Sequence, residues 1–106
     1  MKAAVESYLA AAHDLLNIRQ PDAARAQRIG SSTLQRGLRR EGVSWRELKD
    51  AERKRRCDAV LAANPRACTR RLSQRCGLGR QSLHASFLRW YGTTPAKLRA
   101  DRVAAV

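Results

Sequence analysis

Residues 31–42 read SSTLQRGLRREG, a stretch in which two leucines four positions apart are surrounded by polar and basic residues. At about 100° per residue, Leu34 and Leu38 fall on one side of a helix and Arg36 lies directly opposite them. Gly42 closes the stretch, as glycine commonly does at a helix end. The pattern predicts a short helix with a buried apolar side and a basic outer side. By itself it does not distinguish a solvated charged face from a binding face.

The charge of the whole chain favours a binding face. The 106 residues suffice for one domain or two very small ones, and they carry a formal net charge of +13. Residues 1–53 hold 10 Lys and Arg against 7 Asp and Glu, whereas residues 54–106 hold 12 against 2. Such a field attracts polyanions, with nucleic acid ahead of anionic membranes and acidic proteins. Hydrophobic residues make up 43% of the chain in periodic order, which favours a packed fold over a disordered basic tail.

The cysteines and the N-terminus indicate the compartment. Cys57, Cys68 and Cys76 lack the close C-x-x-C spacing typical of zinc sites, so we interpret them as small buried or half-buried hydrophobes in a reducing compartment. Neither a metal nor another cofactor is expected. The N-terminal stretch carries acidic residues where a signal sequence needs an apolar run, and no stretch approaches the ~20 apolar residues of a membrane span. We therefore expect a cytoplasmic protein without a membrane partner.

The first third of the chain predicts three helices. VESYLAAAHDLL, residues 5–16, is typical of an amphipathic helix. Its apolar stripe consists of Val5, Tyr8, Leu9, Ala12, Leu15 and Leu16. The QPD that follows ends this helix, and Asp22 or Gln20 can cap the next one, DAARAQRI. In the IGSS turn, we expect Gly30 to take a positive φ and a serine hydroxyl to cap the opening stretch.

The rest of the chain predicts four more helices and no strand. SWRE is a capping box in which Ser44 caps and Glu47 reaches back, and it opens a long helix that runs to about Ala63 before Asn-Pro stops it. CTRRLSQRC predicts a short helix, GLGR a turn and QSLHASFLRWY another helix, which Gly92 closes. Thr94 then caps the last helix, PAKLRADRV.

The order of short helix, tight turn, leucine-centred helix, glycine and capped helix occurs twice. Leu34 and Leu38 correspond to Leu83 and Phe87 at an offset of 49. At an offset of 50, the residues Gly42, Ser44 and Leu48 correspond to Gly92, Thr94 and Leu98. The sequence therefore predicts an all-α fold of about seven helices, with two tandem helix-turn-helix subdomains joined by a long linker helix. The expected bounds are about 1–43, 44–63 and 64–106.

Two stretches resemble the AraC/XylS family of transcriptional regulators. GSSTLQRGLRREGVSWRELKDAERKRR resembles the family's first helix-turn-helix and linker helix, and CGLGRQSLHASFLRWYGTTPAKLR resembles its second unit. The most specific pieces are TLQR with the following EG, and FLRWYGTTPAKLR. The resemblance covers roughly residues 5 to 103. The chain departs from the family at Ala85, where an arginine is usual, and at Leu88, where a lysine is common. The turn GLGRQSL is also one residue shorter than the family's.

The resemblance implies a sequence-specific transcription regulator that reads two adjacent major-groove segments of double-stranded DNA as a monomer. It also implies a bacterial, nucleoid-associated location and RNA polymerase as a further candidate partner. Family members usually carry a separate effector or dimerisation domain, and we expect no small-molecule effector site within this chain. The chain has no carboxylate pair, triad or reactive-cysteine motif, so we do not expect an enzyme. The alternative is a basic helical adaptor that binds RNA polymerase or an acidic partner, with only non-specific affinity for DNA.

Candidate contact residues come from the outer sides of the two leucine-centred helices and from the arginines of the short helix that precedes the second turn. The candidate base readers are Ser32, Gln35, Arg36, Gln81 and His84. The candidate phosphate contacts are Ser31, Thr33, Arg39, Arg40, Arg70, Arg71, Arg75, Arg80, Ser82 and Arg89. Arginine, glutamine and similar donors match the edges of bases in the major groove, and most contacts to DNA go to phosphate and sugar. Trp45 and Trp90 lie on apolar stripes and are expected in the core.

Overall fold

The computed structural model describes residues 1–104, and for Arg99 and residues 101–104 it describes the helical backbone alone. Within this part of the chain the protein has seven α-helices and no strand, which confirms the predicted all-α fold. The helices are α1 (Lys2–Ala11), α2 (Gln20–Ala26), α3 (Ser31–Arg40), α4 (Trp45–Ala63), α5 (Thr69–Cys76), α6 (Arg80–Tyr91) and α7 (Pro95–Ala104). The chain divides into two compact units, Met1–Glu52 and Arg53–Val106. We refer to these as unit 1 and unit 2. The three subdomain bounds drawn from the sequence stay a prediction.

Unit 1 is organised around an apolar cluster to which α3 contributes its two leucines. The buried members are Val5, Leu9, Leu15, Ala23, Ala24, Leu34, Leu38 and Leu48. Tyr8, Ile18 and Trp45 are partly buried against the cluster. Full burial of a leucine contributes about 1.5–3 kcal/mol relative to exposure, so Leu34 and Leu38 together fix which side of α3 faces outward.

The first helix is shorter than predicted. α1 ends at Ala11, and the next residue is extended, with φ −74° and ψ 134°. The Asp14 carboxylate accepts hydrogen bonds from the Leu16 backbone N–H at 3.0 Å and from Asn17 Nδ2 at 2.7 Å. The bond from Asn17 holds the pKa of Asp14 below its ordinary value. Local bonds of this kind compete with helix hydrogen bonds, so the predicted last turn is wrong. Leu15 is buried from a loop, whereas Leu16 is 57% exposed.

The start of α2 also differs from the prediction. The helix begins at Gln20 with Arg19 as its N-cap residue, so neither Asp22 nor Gln20 is the cap. Asp22 lies in the first turn, where its Oδ2 accepts a hydrogen bond from the Arg19 backbone N–H at 2.9 Å. An acidic side chain at this third helical position stabilises the helix start by satisfying the N–H of the capping residue.

The turn between α2 and α3 takes its positive φ at Arg28 (60°), whereas Gly30 has a φ of −81°. The Ile29 N–H donates to the Ala24 carbonyl and the Arg28 N–H donates to the Arg25 carbonyl, both at 3.0 Å. This bond pair closes a helix through a left-handed residue just past its end. Because α2 ends at its seventh residue, that position is Arg28 and the prediction for Gly30 was wrong. Gly30 is the extended N-cap residue of α3, and no serine hydroxyl caps that helix.

The first turn of α1 contacts the end of α3 inside unit 1. The Lys2 backbone N–H donates to Glu41 Oε2 at 2.6 Å, and the Met1 amino group lies 3.6 Å from the same oxygen. A Cβ atom at Gly37 would lie 2.9 Å from Met1 Cγ, so a glycine in the middle of α3 allows this close approach. These contacts add to the buried leucines in orienting α3.

Unit 2 repeats the local geometry of unit 1. Gly77 is left-handed (φ 68°) and Gly79 is the extended N-cap residue of α6, at the offset of 49 from Arg28 and Gly30. The buried apolar members of this unit are Cys57, Leu61, Ala67, Leu72, Cys76, Leu78, Leu83 and Phe87. Trp90 is partly buried against them, and like Trp45 in unit 1 it belongs to the core rather than to the surface. The predicted repeat is therefore realised in three dimensions.

The caps of α4 and α7 confirm the predicted starts of these helices. Ser44 Oγ accepts a hydrogen bond from the Glu47 N–H at 3.1 Å, and α4 follows with 19 residues, one fewer than the predicted 20 because Ser44 itself lies outside the helix. Thr94 Oγ1 likewise accepts from the Lys97 N–H at 3.1 Å at the start of α7. Of the seven described helices, none combines the length and apolar character needed to cross a membrane.

The cysteines differ from the prediction in two ways. Cys57 on α4 and Cys76 at the end of α5 are fully buried as expected, but they form a disulfide, with their Cα atoms 6.0 Å apart. The prediction of separate reduced side chains was wrong because a 19-residue separation in sequence conceals how closely the two helices bring these positions together. Cys68 is exposed, which contradicts its predicted burial.

Replacing Arg28 by glycine should stabilise unit 1. A left-handed conformation costs a residue with a Cβ atom about 1–2 kcal/mol. Glycine avoids this cost, but its more flexible unfolded state lowers the free energy of unfolding by about 0.5–1 kcal/mol. We expect Arg28→Gly to raise the free energy of unfolding by up to about 1 kcal/mol, measured by urea denaturation. Gly42→Ala is the matched control, since Gly42 has a φ of 74° and open space around its Cβ position. The free energy of unfolding of this variant should fall by about 1 kcal/mol, because alanine is strained at a positive φ. A destabilised Arg28→Gly variant would contradict this account of the turn.

Candidate nucleic-acid interface

Helix α3 presents donors on the side away from the core of unit 1. Ser32, Gln35 and Arg36 are all exposed, as the pattern of the opening stretch predicted. Arg36 Nη2 donates a hydrogen bond to Thr33 Oγ1 at 3.4 Å, which directs the guanidinium toward the N-terminal half of the helix. The outer side of α3 therefore carries one planar guanidinium, one amide and two hydroxyls within about one and a half turns.

The remaining candidates of unit 1 flank this face. Arg39 and Arg40 are exposed in the last turn of α3, where positive charge complements the helix dipole. Ser31 is the first residue of the helix and is half-buried, and its carbonyl accepts a hydrogen bond from Gln20 Nε2 at 3.5 Å. Ser31 thus joins α2 to α3 as well as standing at the helix N-terminus.

Gln35 and Arg39 line a surface depression in unit 1 that also includes the start of α4. Ser44 and Arg46 line it from the α4 side, and Gln20 lines it from α2. Arg46 is exposed and was not among the predicted contact residues. The signal for it was available, because the capping serine places Arg46 in the first turn of the helix that follows the opening stretch.

Helix α6 presents a different outer side in unit 2. Gln81 and His84 are exposed as predicted, and Ala85 and Leu88 are exposed beside them. A second depression is lined by Gln81 and His84 together with the first residues of α5 and α6 and the start of α7. Those residues are Thr69, Arg80, Thr94, Pro95 and Ala96. In both units, the helix that follows the leucine-centred helix begins beside its outer side.

The arginines of α5 separate into two groups. Arg70 and Arg80 line one depression between α5 and the start of α6, together with Ser73 and Gln74. Arg71 and Arg75 are exposed on α5 and do not line this depression. Of the three α5 arginines predicted to contact phosphate, Arg70 therefore lies next to the start of α6.

Ser82 and Arg89 complete the predicted set on α6, and both are exposed. Ser82 lies in the first turn of the helix. The guanidinium carbon of Arg89 lies 5.9 Å from the centre of the Trp90 ring, a cation–π contact that orients this side chain along the surface.

The C-terminal end of α6 is attached to α4 by a small polar cluster. The Tyr91 hydroxyl donates a hydrogen bond to the Asp58 carboxylate, and Lys54 Nζ lies 3.2 Å from the same carboxylate. Lys54 Nζ also lies 5.3 Å from the centre of the Tyr91 ring, and the centre of this ring lies 4.5 Å from that of Phe87, with the two rings tilted by 51°. This cluster fixes the rotation of α6 and hence the direction of its outer side. Sequence reasoning missed it, because its members lie up to 37 positions apart on two helices.

Comparison with known proteins finds similarity at the level of structure. A scan against protein-family models finds no match, and a search of curated proteins finds none either. Among solved structures, the fold is similar to one described as a DNA-binding transcriptional dual regulator from Escherichia coli K-12. The TM-score is 0.83 at 20% sequence identity, and the alignment covers 99% of this chain and 93% of that chain. At this identity the likeness shows a shared fold.

Proposed function

We propose that the protein is a sequence-specific regulator of transcription that binds double-stranded DNA through its two helix-turn-helix units, as a monomer and in the manner of the AraC/XylS family. The observation that carries the proposal is the duplicated outer side of α3 and α6, each opposite two buried apolar residues in a chain of net charge +13. The shared fold with a DNA-binding transcriptional dual regulator supports it. Such a regulator acts in the cytoplasm, on the nucleoid.

The major groove of B-DNA is about 12 Å wide and admits an α-helix, so α3 is the element we assign to it in unit 1. Arg36 lies opposite the buried leucines, where its two outer nitrogens can donate to O6 and N7 of guanine. Gln35 offers the amide that pairs with adenine, and Ser32 can bond to any base edge within reach. In unit 2 the corresponding readers are Gln81 and His84 on α6.

Contacts to phosphate position the two units without reading sequence. The hydroxyls of Ser31, Thr33 and Ser82 stand at helix N-termini, where N–H groups and the helix dipole favour an anion. The basic side chains assigned to this role are Arg39, Arg40, Arg70, Arg71, Arg75, Arg80 and Arg89. Arg46 joins them on the basis of the depression that it shares with Gln35 and Arg39.

A basic adaptor that grips RNA polymerase or another acidic partner is the competing function. The observation in its favour is the apolar pair Ala85 and Leu88 on the outer side of α6, at the places where α3 carries two arginines. An adaptor would bind every DNA sequence equally, whereas a regulator shows a ratio between specific and non-specific affinity. The two functions therefore differ in an equilibrium binding measurement.

Two arginines on α3 should give different binding signatures. After selection of preferred sites from a random DNA pool, we expect Arg36→Ala to cost about 1–3 kcal/mol on the preferred site and to relax preference at one base pair. Arg40→Ala is the matched control on the same helix. It should weaken binding to all sequences alike and make the slope of log K against log salt shallower by about one. Fluorescence anisotropy at four salt concentrations, with thermal melting to verify folding, measures both effects.

The same titration tests the function itself. Specific binding with about six to ten phosphate contacts predicts that affinity falls ~10³–10⁵-fold between about 50 and 200 mM salt. In a plot of log K against log salt, the preferred and scrambled duplexes should give parallel lines separated by a constant difference in log K. If the two duplexes give coincident lines, the protein is not a sequence-specific regulator. If Arg36→Ala leaves the offset and the base preference unchanged while the protein melts normally, Arg36 is not a reader.

The proposal that both units engage one stretch of DNA depends on α4, which continues from unit 1 into unit 2. Two alanines inserted between Glu52 and Arg53 would turn the second part of the helix by about 200° and lengthen it by ~3 Å. We expect specific affinity to fall towards the non-specific level, while circular dichroism still reports full helicity. Undiminished binding of the preferred site by the insertion variant would refute simultaneous reading through α4.

A further inference from the structure

The outer sides of α3 and α6 correspond residue by residue, and at two positions an arginine of α3 corresponds to an apolar residue of α6. At the offset of 49, Arg36 corresponds to Ala85 and Arg39 corresponds to Leu88. All four side chains are exposed. Unit 2 therefore presents two apolar side chains at the places where unit 1 presents two guanidinium groups.

The two apolar residues form a continuous stripe with the candidate base reader of α6. At about 100° per residue, Gln81, Ala85 and Leu88 fall within an arc of about 60°, on the side away from Leu83 and Phe87. Ala85 and Leu88 are three positions apart, or about 4.5 Å along the helix axis. The stripe is thus part of the proposed DNA-reading side, since it includes Gln81 and shares its orientation.

Leu88 is not accounted for by packing within unit 2. It is 43% exposed and does not belong to the apolar cluster of that unit. Among the described residues the other large apolar side chains with comparable exposure are Met1 and Leu16, both in unit 1. Since burying a leucine is favourable by a few kcal/mol, an exposed leucine on a binding side gains by contact with an apolar group of the ligand.

The surroundings of the stripe identify the class of ligand. Arg80 and Arg89 are exposed at the two ends of α6, and the half of the chain that contains it holds 12 Lys and Arg against 2 Asp and Glu. An apolar stripe between cationic side chains fits a polyanion that also displays apolar groups. In the major groove of DNA, the apolar group on the base edges is the C5-methyl group of thymine.

We propose that Ala85 and Leu88 read C5-methyl groups in the major groove, so that unit 2 recognises thymine by apolar contact, whereas unit 1 recognises bases by hydrogen bonds from residues such as Arg36. The spacing of about 4.5 Å between the two side chains along the helix is close to the rise of about 3.4 Å between successive bases of one strand, which allows contact with methyl groups on neighbouring base pairs. The proposal rests on the proposed function and specifies the ligand chemistry of its second unit.

Deoxyuridine provides the test, because it differs from thymidine only in lacking the C5-methyl group. Each thymine of a selected site is replaced in turn, and binding of the full chain is measured. We expect one or two positions at which the loss of the methyl group weakens binding about fourfold, the equivalent of one buried carbon. At those positions, 5-methylcytosine paired with guanine should bind about fourfold better than unmodified cytosine in the same pair.

Variants at Leu88 test whether the stripe causes the difference in binding between thymine and uracil. Leu88→Ala should weaken binding to the thymine duplex and abolish the difference between thymine and uracil at one position. Leu88→Lys should also abolish that difference while making binding more sensitive to salt. Leu16→Ala is the matched control, since Leu16 is a leucine of similar exposure in unit 1, and it should leave both the affinity and the thymine preference unchanged.

The possible outcomes separate this proposal from the proposed function. If preferred sites are bound specifically but no thymine position responds to uracil, or the response persists in Leu88→Ala, methyl reading by the stripe is refuted and the regulator function stands. If Leu88→Ala binds every duplex like the unchanged protein, the stripe does not contact DNA and the proposal fails. If no duplex is preferred over a scrambled one, both the proposed function and this inference fail.

Discussion

The burial of one pair of apolar residues in each unit is the constraint on which the rest of the structure depends. Helices of 10 and 12 residues are marginal in water by themselves, so α3 and α6 owe their stability to the packing of Leu34 with Leu38 and of Leu83 with Phe87. Because each pair lies four positions apart, only one rotation of the helix buries both members. The side chains that face outward are therefore selected by the core, before any ligand is present.

Much of this organisation could be predicted from the sequence because it depends on local patterns. The spacing of apolar residues predicts the helices, and the serine and threonine caps of α4 and α7 predict where those helices begin. The prediction was wrong where a local alternative competed with the helix. The Asp14 carboxylate ends α1 early through hydrogen bonds to neighbouring residues, and Arg28 takes a left-handed conformation that sequence reasoning assigns to glycine.

Features that join distant positions were out of reach for the same reason. The pairing of Cys57 with Cys76 and the contact between Tyr91 and Asp58 both depend on how helices pack, and the periodicity of the sequence does not report that. The exposure of the candidate residues on α3 and α6 was easier to predict, since an outer side opposite a known core follows from geometry alone. Which of the outward residues contact a ligand depends on the chemistry of their side chains, and the fold does not determine that chemistry.

That freedom is what the two proposed modes of base contact require of the scaffold. Exposed substitutions away from special backbone positions usually change stability by about 0.5 kcal/mol or less, so residues on the outer sides of α3 and α6 can differ while the buried pairs stay fixed. Arg36 and Ala85 occupy corresponding places on corresponding helices, yet a guanidinium offers hydrogen bonds and a methyl group offers apolar contact. Hydrogen bonds in the groove are directional and discriminate by donor pattern, whereas apolar contacts discriminate by shape. A protein that combines both kinds on two similar units can distinguish more sequences than one that repeats a single chemistry.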